Sequence, residues 1–408
     1  MLTHSQYLVV ICLGWLLVGC GPSGDELFRQ AQEAAENKDK ELSVELVLKA
    51  AEKGCFDAMI IAGGIYIHGE GVEPNKELGF SLIRKAAEAK HPDAMFVLGK
   101  CYENGTATDK DPDKARYWKN QAFEADSPLA MNAVAEKIYH EISYASITKR
   151  IRANDDNQVS YSGKEKESMA LAVKVFKRLV EEDRFTNKVD VAHIYQCLGE
   201  IYTKGMAVNQ STRAGISYYE KAIKLGSKMA MGDLGYIYCE GEVCEKDYDK
   251  GVPLLRKSLT GRNDVRVLGL LGKAYADPEW ALSDLDTAKK YFTDAIYQHD
   301  NSDDDHKSDF EIKESLYWAG RILVFEDKKY RDEDRGIKYL KRATKAGCNE
   351  ASYFLAVAYC DGIGVEKDLV EAYSLVISAK FSRDKEIAAE AQKLYDQIRK
   401  KRYPSLYN

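Results

Sequence analysis

The sequence predicts an all-α protein, a right-handed α/α superhelical solenoid of helix-turn-helix repeats with about eight units, some of them degenerate. A short signature, Leu-Gly-x-x-Tyr-x-x-Gly, occurs at 98–105, 198–205 and 234–241. Its tyrosine recurs at a nearly constant interval, since 36 residues separate Tyr202 from Tyr238 and 37 separate Tyr238 from Tyr275. Self-similarity at one short period is typical of arrays in which each unit packs on its neighbours.

The second half of each unit predicts a second helix. These segments are rich in Lys-Ala and aromatic residues, at 114–122, 214–226, 289–296 and 336–347. Within both halves apolar residues recur at three- and four-residue steps, as an amphipathic helix requires. Gly226, Gly261 and Gly347 follow the second helix, where a left-handed stop is least costly for glycine.

Glycines also recur inside the first helix, where they are unfavourable unless packing requires them. They stand at one phase of the repeat, at Gly99, Gly199, Gly235 and Gly272. We therefore predict that a neighbouring helix approaches each of these positions closely. Glycine pairs at 69–71 and 362–364 predict the turns that join the two helices of a unit.

These motifs resemble the Sel-one-like repeat family, relatives of the tetratricopeptide repeats. The family pattern, Ala-x-x-x-Leu-Gly-x-x-Tyr-x-x-Gly-x-Gly-Val followed by Asp-x-x-Lys-Ala, is matched well at 58–87 and 351–372. Ala356 replaces the packing glycine in the second of these, and the unit at 262–296 has Asp277-Pro278 in place of the turn glycines. The resemblance covers most of residues 42–380 and implies recognition of a protein partner rather than catalysis.

The first residues predict a separate segment, a lipoprotein signal peptide at 1–19 and a lipidated tether at 20–25. The apolar run at 8–18 is too short for a permanent membrane span. It leads into Leu-Val-Gly-Cys, which is similar to a bacterial lipobox, and that resemblance implies lipidation of Cys20. Several acyl chains together anchor a protein stably.

The residue after the lipidated cysteine is Gly21 rather than aspartate, which by the same resemblance implies the outer membrane and a periplasm-facing protein. The segment before the apolar run contains His4 but no lysine or arginine, a departure from the usual pattern. A plain signal peptide or a buried N-terminal helix is the alternative interpretation.

Composition limits the possible partners. The net charge is −6, from 59 basic and 65 acidic residues, so no strong positive field predicts nucleic-acid binding. Seven cysteines besides Cys20 remain after removal of the signal peptide, an odd number that leaves at least one thiol unpaired in an oxidising compartment. Cys239 and Cys244 flank a turn close enough for a disulfide, and their pairing stays open.

The predicted organisation has four further parts. They are N-terminal repeats at 26–149, an irregular exposed loop at 150–163, central and C-terminal repeats at 164–383 with an acidic insertion at 299–309, and a capping helix and tail at 384–408. The loop is predicted from its polar, turn-rich composition. The capping helix is predicted from one apolar face and an otherwise charged surface, as a terminal repeat needs.

No catalytic residue, metal site or cofactor is predicted. The best metal candidates are the acidic-insertion residues Asp303, Asp305, His306 and Asp309, but the insertion lacks the glycine and terminal glutamate of a calcium loop, and a solvated insertion is favoured. Two Ser-x-x-Lys matches, Ser146 with Lys149 and Ser382 with Lys385, have no companion Lys-Thr-Gly motif. We interpret them as chance matches.

A partner-binding surface is predicted where side chains differ while the helical framework repeats. If the first helix of each pair lines the groove, the residue after the packing glycine and the residue one turn later point inward. These candidates are Lys100, Glu103, Glu200, Thr203, Tyr236 and Lys273.

The predicted function is non-catalytic binding of another protein, a toxin or an envelope component, by a lipid-anchored protein of the bacterial outer membrane. The sharper hypothesis is an immunity protein that neutralises a phospholipase-like toxin delivered by type VI secretion, as the resemblance implies for some lipoproteins with these repeats. An envelope-signalling or cell-wall-assembly scaffold is the alternative. A host-protein binder and a β-lactam hydrolase are less favoured.

Overall fold

The computed structural model describes residues 22–153, 159–185, 187–260, 264–302 and 308–402. The predicted signal peptide, Cys20 and Gly261 lie outside these ranges. All regular secondary structure in the described ranges is helical, and the helices are arranged in consecutive pairs. The predicted all-α architecture of helix-pair repeats is therefore confirmed. A search of the described helices finds none with the length and apolarity that crossing a membrane requires.

The chain forms two compact units, which we describe separately. The first runs to Lys188 and includes residues 206–209. Its helices are α1 (Gly24–Glu36), α2 (Lys40–Glu52), α3 (Phe56–His68), α4 (Lys76–Glu88), α5 (Pro92–Asn104), α6 (Pro112–Glu124), α7 (Pro128–Ala153) and α8 (Gly163–Glu181). The first six are 13 residues long, and α7 and α8 have 26 and 19 residues.

The second unit contains residues 189–205 and 210–408. Its helices are α9 (Lys188–Lys204), α10 (Thr212–Lys224), α11 (Lys228–Glu240), α12 (Tyr248–Ser258), α13 (Val265–Ala276), α14 (Leu285–Asp300), α15 (Lys313–Phe325), α16 (Glu333–Lys345), α17 (Asn349–Asp361), α18 (Leu369–Ala379) and α19 (Lys385–Arg402). Short 3₁₀ turns at Asp309–Ile312 and Lys328–Tyr330 precede α15 and α16.

A single backbone hydrogen bond explains why the tyrosine recurs at a fixed distance from the second helix. The residue nine positions after the tyrosine caps the second helix with its side chain, and its N–H donates to the tyrosine carbonyl. Asp111 donates to Tyr102 at 2.9 Å and Asp247 donates to Tyr238 at 2.8 Å. Each such bond satisfies one carbonyl at the end of a first helix, which would otherwise have no partner in the helix.

The glycines behave as their positions predict. Gly69, Gly105, Gly241 and Gly362 end first helices in the left-handed conformation, with φ of 71° to 77°. A β-carbon on Gly235 would lie 2.8 Å from the Leu255 side chain of α12, and one on Gly272 would lie 2.5 Å from the ring of Phe292 in α14. The predicted close approach of the second helix is confirmed.

The structure also shows a second packing glycine that the sequence analysis missed. Gly215 in α10 and Gly251 in α12 face the glycines of the first helices, because added β-carbons would lie 2.8 Å from the Gly199 carbonyl oxygen and 3.0 Å from that of Gly235. These contacts are with backbone atoms, which cannot rotate away. The two helices of a pair therefore cross with glycine on both sides.

The number of pairs exceeds the predicted eight, since the described residues form nine pairs followed by α19. The predicted N-terminal repeats begin with the complete pair α1–α2. The pair α7–α8 departs from the 13-residue helix length of the six helices before it. Helix occupies part of the predicted loop at 150–163, because α7 continues to Ala153, and residues 154–158 lie outside the described part.

The first helices of successive pairs contact one another within each unit. In the first unit α1, α3, α5 and α7 do so in order, and in the second unit α11, α13, α15, α17 and α19 do so. We use the term first-helix face for the accessible side of α11, α13, α15 and α17 in the second unit. This face carries Tyr236, Lys273, Arg321 and Phe354.

Candidate partner-binding surface

The candidates in the first unit lie together on α5. Lys100 and Glu103 are exposed, and the Lys100 Nζ lies 3.3 Å from a Glu103 carboxylate oxygen. Lys119 of α6 also donates to Glu103, at 2.7 Å. The Lys119 hydrogen bond is the largest cause of the lowered pKa of Glu103. Both predicted side chains are accessible to a partner, and Glu103 is already paired with the ammonium groups of Lys100 and Lys119.

Thr203 is a correction to the predicted set. Its side chain is only 2% exposed, and its hydroxyl donates to the Gly199 carbonyl at 2.9 Å. Its methyl group packs against Gly215, where an added β-carbon would stand 2.3 Å away. Thr203 therefore points toward the second helix, whereas Glu103, which follows Gly99 by the same four residues, is exposed. Glu200 is partly exposed and pairs with Lys204 at 2.7 Å.

Tyr236 is the aromatic residue of the predicted set, and 40% of its surface is exposed. Its hydroxyl lies 3.5 Å from Glu242 Oε1. Partial burial raises the pKa of Tyr236 to about 12, and Glu242 and Glu240 contribute to the increase. The hydroxyl therefore stays protonated and neutral at physiological pH.

Lys273 joins three successive first helices. Its Nζ lies 2.7 Å from Glu240 in α11 and 3.2 Å from Glu314 in α15. Burial lowers the pKa of Lys273, but the charges of Glu314 and Glu240 outweigh it and the net pKa is raised. Lys273 is thus held in place by two carboxylates, and Glu314 remains 60% exposed.

Two other groups on the second unit were not predicted. The Gln196 side chain donates to Asp233 Oδ2 at 2.7 Å, and burial raises the pKa of Asp233 to about 6. Asp233 lies one turn before Tyr236 on α11, so helical spacing alone would have identified it.

The guanidinium of Arg321 lies 5.0 Å from the ring centroid of Trp318 and 5.3 Å from that of Phe354. Arg321 follows a packing glycine, Gly320, and the same positional rule would have found it. Arginine and aromatic side chains together are enriched at the centres of protein interfaces.

The ends of the acidic insertion form a closed ionic cluster. His299, Asp300 and Asp309 have potential metal-ligand atoms within 4.8 Å of one another. Arg342 bridges the two carboxylates, because its guanidinium donates to Asp300 at 2.6 and 3.0 Å and to Asp309 at 2.6 and 3.1 Å. The two carboxylates that a cation would use are thus paired with arginine. Asp303, Asp305 and His306 lie outside the described residues.

The serines of the two Ser-x-x-Lys matches make structural hydrogen bonds. The buried Ser146 hydroxyl donates to the Ile142 carbonyl at 2.6 Å, and Lys149 binds Glu165 at 2.9 Å. The Ser382 hydroxyl donates to Glu350 at 2.5 Å. Neither serine is hydrogen-bonded to the lysine of its motif in these contacts.

Cys239 and Cys244 are both unpaired thiols. Burial raises the pKa of Cys239 to about 12, which disfavours the thiolate that disulfide exchange requires. Cys244 donates a weak hydrogen bond to the Ile237 carbonyl.

Comparison with known proteins identifies the class. The model of the Sel1 repeat family matches seven segments that together exceed half of the chain, at 34–55, 57–91, 92–127, 198–227, 228–260, 314–348 and 349–379. The chain belongs to the Sel1 repeat family. The search of curated proteins finds no match. Two intervals inside the array are unmatched, 128–197 and 261–313, and these contain the long pair α7–α8, the start of α9 and the pair α13–α14.

Solved structures with low identity are similar to this chain. A Sel1 repeat protein from Oxalobacter formigenes is 22% identical, over 66% of this chain and 99% of that one, with a TM-score of 0.45. An SLR-fold protective antigen from uropathogenic Escherichia coli is 18% identical, over 94% and 93%, with a TM-score of 0.37. An immunity protein from Pseudomonas aeruginosa is 18% identical, over 59% and 81%, with a TM-score of 0.29. Superpositions of this quality carry no argument about function.

Proposed function

We propose that this Sel1 repeat protein binds a partner protein through side chains that its first helices present. The observation that carries the proposal is the residue after the packing glycine. It is Lys100 on α5, Glu200 on α9, Tyr236 on α11 and Lys273 on α13, all at least partly exposed, while the glycine before each is invariant. A repeated framework with varied accessible side chains is how repeat arrays achieve specific recognition.

The pre-ordered packing of the first helices supports binding without large rearrangement. Lys273 is already fixed by Glu240 and Glu314, and Arg321 is already positioned beside Trp318. Side chains that are ordered before association lose less conformational entropy when a partner binds. The first-helix face is therefore suited to non-covalent recognition.

We also propose that the protein is anchored to the bacterial outer membrane through lipid on Cys20 and faces the periplasm. The support is the similarity of Leu-Val-Gly-Cys20 to a lipobox, followed by Gly21. The test is metabolic labelling with radioactive palmitate and fractionation of the two membranes. Label in the wild type but not in Cys20→Ser is expected, and equal label in both would overturn the anchor.

The sharper form of the proposal is an immunity protein that neutralises a membrane-acting toxin delivered by type VI secretion. It rests on the proposed periplasmic location and on the resemblance that the sequence shows to lipoproteins of this repeat class. A strain lacking the protein should be killed by the toxin-producing parent. Complementation by the full chain should restore survival. Equal survival of the deletion strain would reject the immunity role without affecting protein binding.

The protein-binding proposal itself is tested by capture from detergent-solubilised envelopes with the full-length acylated protein, followed by mass spectrometry. One stoichiometric toxin-like partner is expected, and several cell-wall or signalling proteins would favour a scaffold. A variant with Tyr236→Ala and Lys273→Ala, both on the first-helix face of the second unit, should lose the partner. Tyr297→Ala, which removes a 64% exposed tyrosine from α14, should retain it.

A further inference from the structure

One arrangement recurs at five places in the described chain. A lysine ammonium lies 4.5 to 5.5 Å from a tyrosine ring centroid and pairs with a carboxylate at 2.7 to 3.4 Å. The five sets are Lys114–Tyr102–Asp111, Lys149–Tyr161–Glu165, Lys246–Tyr248–Asp277, Lys250–Tyr238–Asp247 and Lys329–Tyr330–Asp286. The ring face and the carboxylate attract the same cation, so the lysine of each set neutralises the carboxylate and covers the ring at the same time.

The set around Tyr248 gives the most detailed template. The Tyr248 hydroxyl donates to Asp277 at 2.7 Å, and the ammonium of Lys246 lies 5.3 Å from the ring centroid and 3.4 Å from the same carboxylate. The tyrosine therefore provides a neutral ring face while its hydroxyl orients the carboxylate that receives the lysine.

Tyr236 has the ring and the carboxylates of this arrangement but not the cation. Its hydroxyl lies beside Glu242, and Glu240 is one turn further along α11. Across the ranges that the structure describes, no lysine or arginine lies over the Tyr236 ring. Lys273 is nearby, but its ammonium is held between Glu240 and Glu314.

Exposure distinguishes Tyr236 from the tyrosines that serve packing alone. The residue is 40% exposed, at a position of the first-helix face where other units place a charged residue, as with Lys273. Glu242 is exposed as well. Glu240, Glu242 and Lys273 are electrostatic neighbours of Tyr236, and Lys273 is shared with Glu314, so three carboxylates accompany one ammonium group. A cation from another molecule would restore the arrangement that the chain completes for itself elsewhere.

We infer that Tyr236, with Glu240 and Glu242, receives a lysine or arginine side chain from a segment of a protein partner. This inference rests on the proposed protein-binding function and names the chemistry of the partner. The cationic side chain lies over the ring and donates to Glu242, as Lys246 does at Tyr248. Lys273 stays paired with Glu240 and Glu314 and holds these two side chains in place beside the bound cation.

The probe is a display library of random twelve-residue peptides, selected on the immobilised full-length protein. Selected peptides should be enriched in lysine or arginine relative to the starting library. Their affinity for Tyr236→Ala should fall at least tenfold. Glu242→Lys is the sharper variant, because it supplies a cation from the chain itself and should abolish binding while leaving the fold intact. Tyr297→Ala is the matched control and should bind as the wild type does.

Enrichment of peptides without lysine or arginine, equal binding to Glu242→Lys, or no enrichment at all would each overturn the inference. The protein captured from envelopes separates this result from failure of the proposed function. If that protein binds wild type and Glu242→Lys equally, protein binding stands and the role of Tyr236 is rejected.

Discussion

The Tyr248 hydroxyl at the start of α12 donates a hydrogen bond of 2.7 Å to Asp277 at the end of α13. Pro278, the residue after Asp277, stands where other units have the first turn glycine. The ring of Trp280 packs 5.4 Å from that of Tyr248, and its indole N–H donates to Asp249 at 3.0 Å. Burial raises the pKa of Asp277, but the hydrogen bonds from Tyr248 and the Glu279 N–H, with Lys246, outweigh it and the net pKa is lowered. A polar and aromatic network thus replaces the glycine turn of the pair α13–α14.

Removal of this hydroxyl should destabilise the second unit. We expect Tyr248→Phe to lower the free energy of unfolding by about 1 to 2 kcal/mol, the range for a hydrogen bond to a charged group that keeps other donors. Tyr291→Phe is the control, because no hydrogen bond of the Tyr291 hydroxyl is present among the described residues. Urea-induced unfolding followed by circular dichroism measures both. Equal midpoints for the two variants would contradict the structural role of the bond.

The packing glycines of the second helices should not tolerate a methyl group. A β-carbon on Gly215 would lie 2.3 Å from the Thr203 methyl and 2.8 Å from the Gly199 carbonyl oxygen, and the backbone contact cannot be relieved by a rotamer change. We expect Gly215→Ala to cost about 2 kcal/mol or more, as overpacking does.

Gly232→Ala is the matched control on α11. Its nearest neighbour outside the local backbone is the Ser258 hydroxyl oxygen at 3.7 Å, so the methyl group fits. The change should stabilise by about 0.5 to 1 kcal/mol through helix propensity. Thermal unfolding of both variants measures the contrast. A loss of stability in both would show that the space around the glycine does not decide whether alanine stabilises or destabilises the protein.

Arg342 should be required to hold the ends of the acidic insertion together. Arg342→Ala leaves Asp300 and Asp309 adjacent without their shared cation, and we expect a loss of about 2 kcal/mol in the free energy of unfolding. The variant should gain stabilisation by millimolar Ca²⁺ or micromolar Zn²⁺, because the ligand atoms of His299, Asp300 and Asp309 then lie around a space that a cation can enter.

Thermal shift with and without each metal ion measures this effect. Wild type should show no metal-dependent shift, and Arg342→Ala with Asp309→Asn should lose the shift of the single variant. A metal-dependent shift in the wild type would contradict the assignment of Arg342 as the resident cation.

Asp233 should make the second unit less stable as pH rises. Burial raises its pKa in the folded protein to about 6, above the value of 3.8 expected when unfolded, and Glu200 adds to the shift while Lys204 and Arg266 oppose it. The folded state therefore binds the proton more tightly, and stability falls between pH 3.8 and about 6. Asp233→Asn should be more stable than wild type by about 1 to 2 kcal/mol at pH 7.5.

At pH 4 that advantage should nearly disappear, because the Asp233 carboxyl is then protonated in the folded wild type. Unfolding by urea at pH 4, 5, 6 and 7.5 measures the dependence. Glu220→Gln, at an exposed carboxylate on α10, removes the same charge and should show no such trend. If the free energies of unfolding of Asp233→Asn and wild type differ by the same amount at every pH, the titration of Asp233 is not the cause of the difference.

Sequence periodicity predicted the helix pairs because its signals are local. The Tyr102 and Asp111 spacing sets the turn through one hydrogen bond, and a glycine such as Gly69 ends its helix through backbone conformation. The packing glycine of the first helix was also visible, since glycine inside a helix is costly without a neighbour. Its counterpart Gly215 was not predicted, because its contact with the Gly199 carbonyl oxygen joins two helices and is visible only in the tertiary structure.

One member of the predicted partner-binding set, Thr203, is buried for a geometric reason. Thr203 lies one turn after Glu200 and was predicted to share the orientation of Glu200 toward a partner, but the second helix α10 covers Thr203. One helical turn is enough to separate a covered position from an open one when a neighbouring helix crosses at glycine. Arg321 was overlooked because its unit shows mainly the second half of the repeat.

The local pattern of glycine, tyrosine and capping residues was sufficient for the helix pairs and for the family, because turns, caps and helix crossings depend on residues close in sequence. The charge pairing across successive helices required the tertiary structure. Lys273 meets Glu240 and Glu314, which lie 33 residues before it and 41 after it, and Arg342 meets Asp300 and Asp309. Such contacts depend on the rotation of each helix about its axis, and packing between pairs sets that rotation.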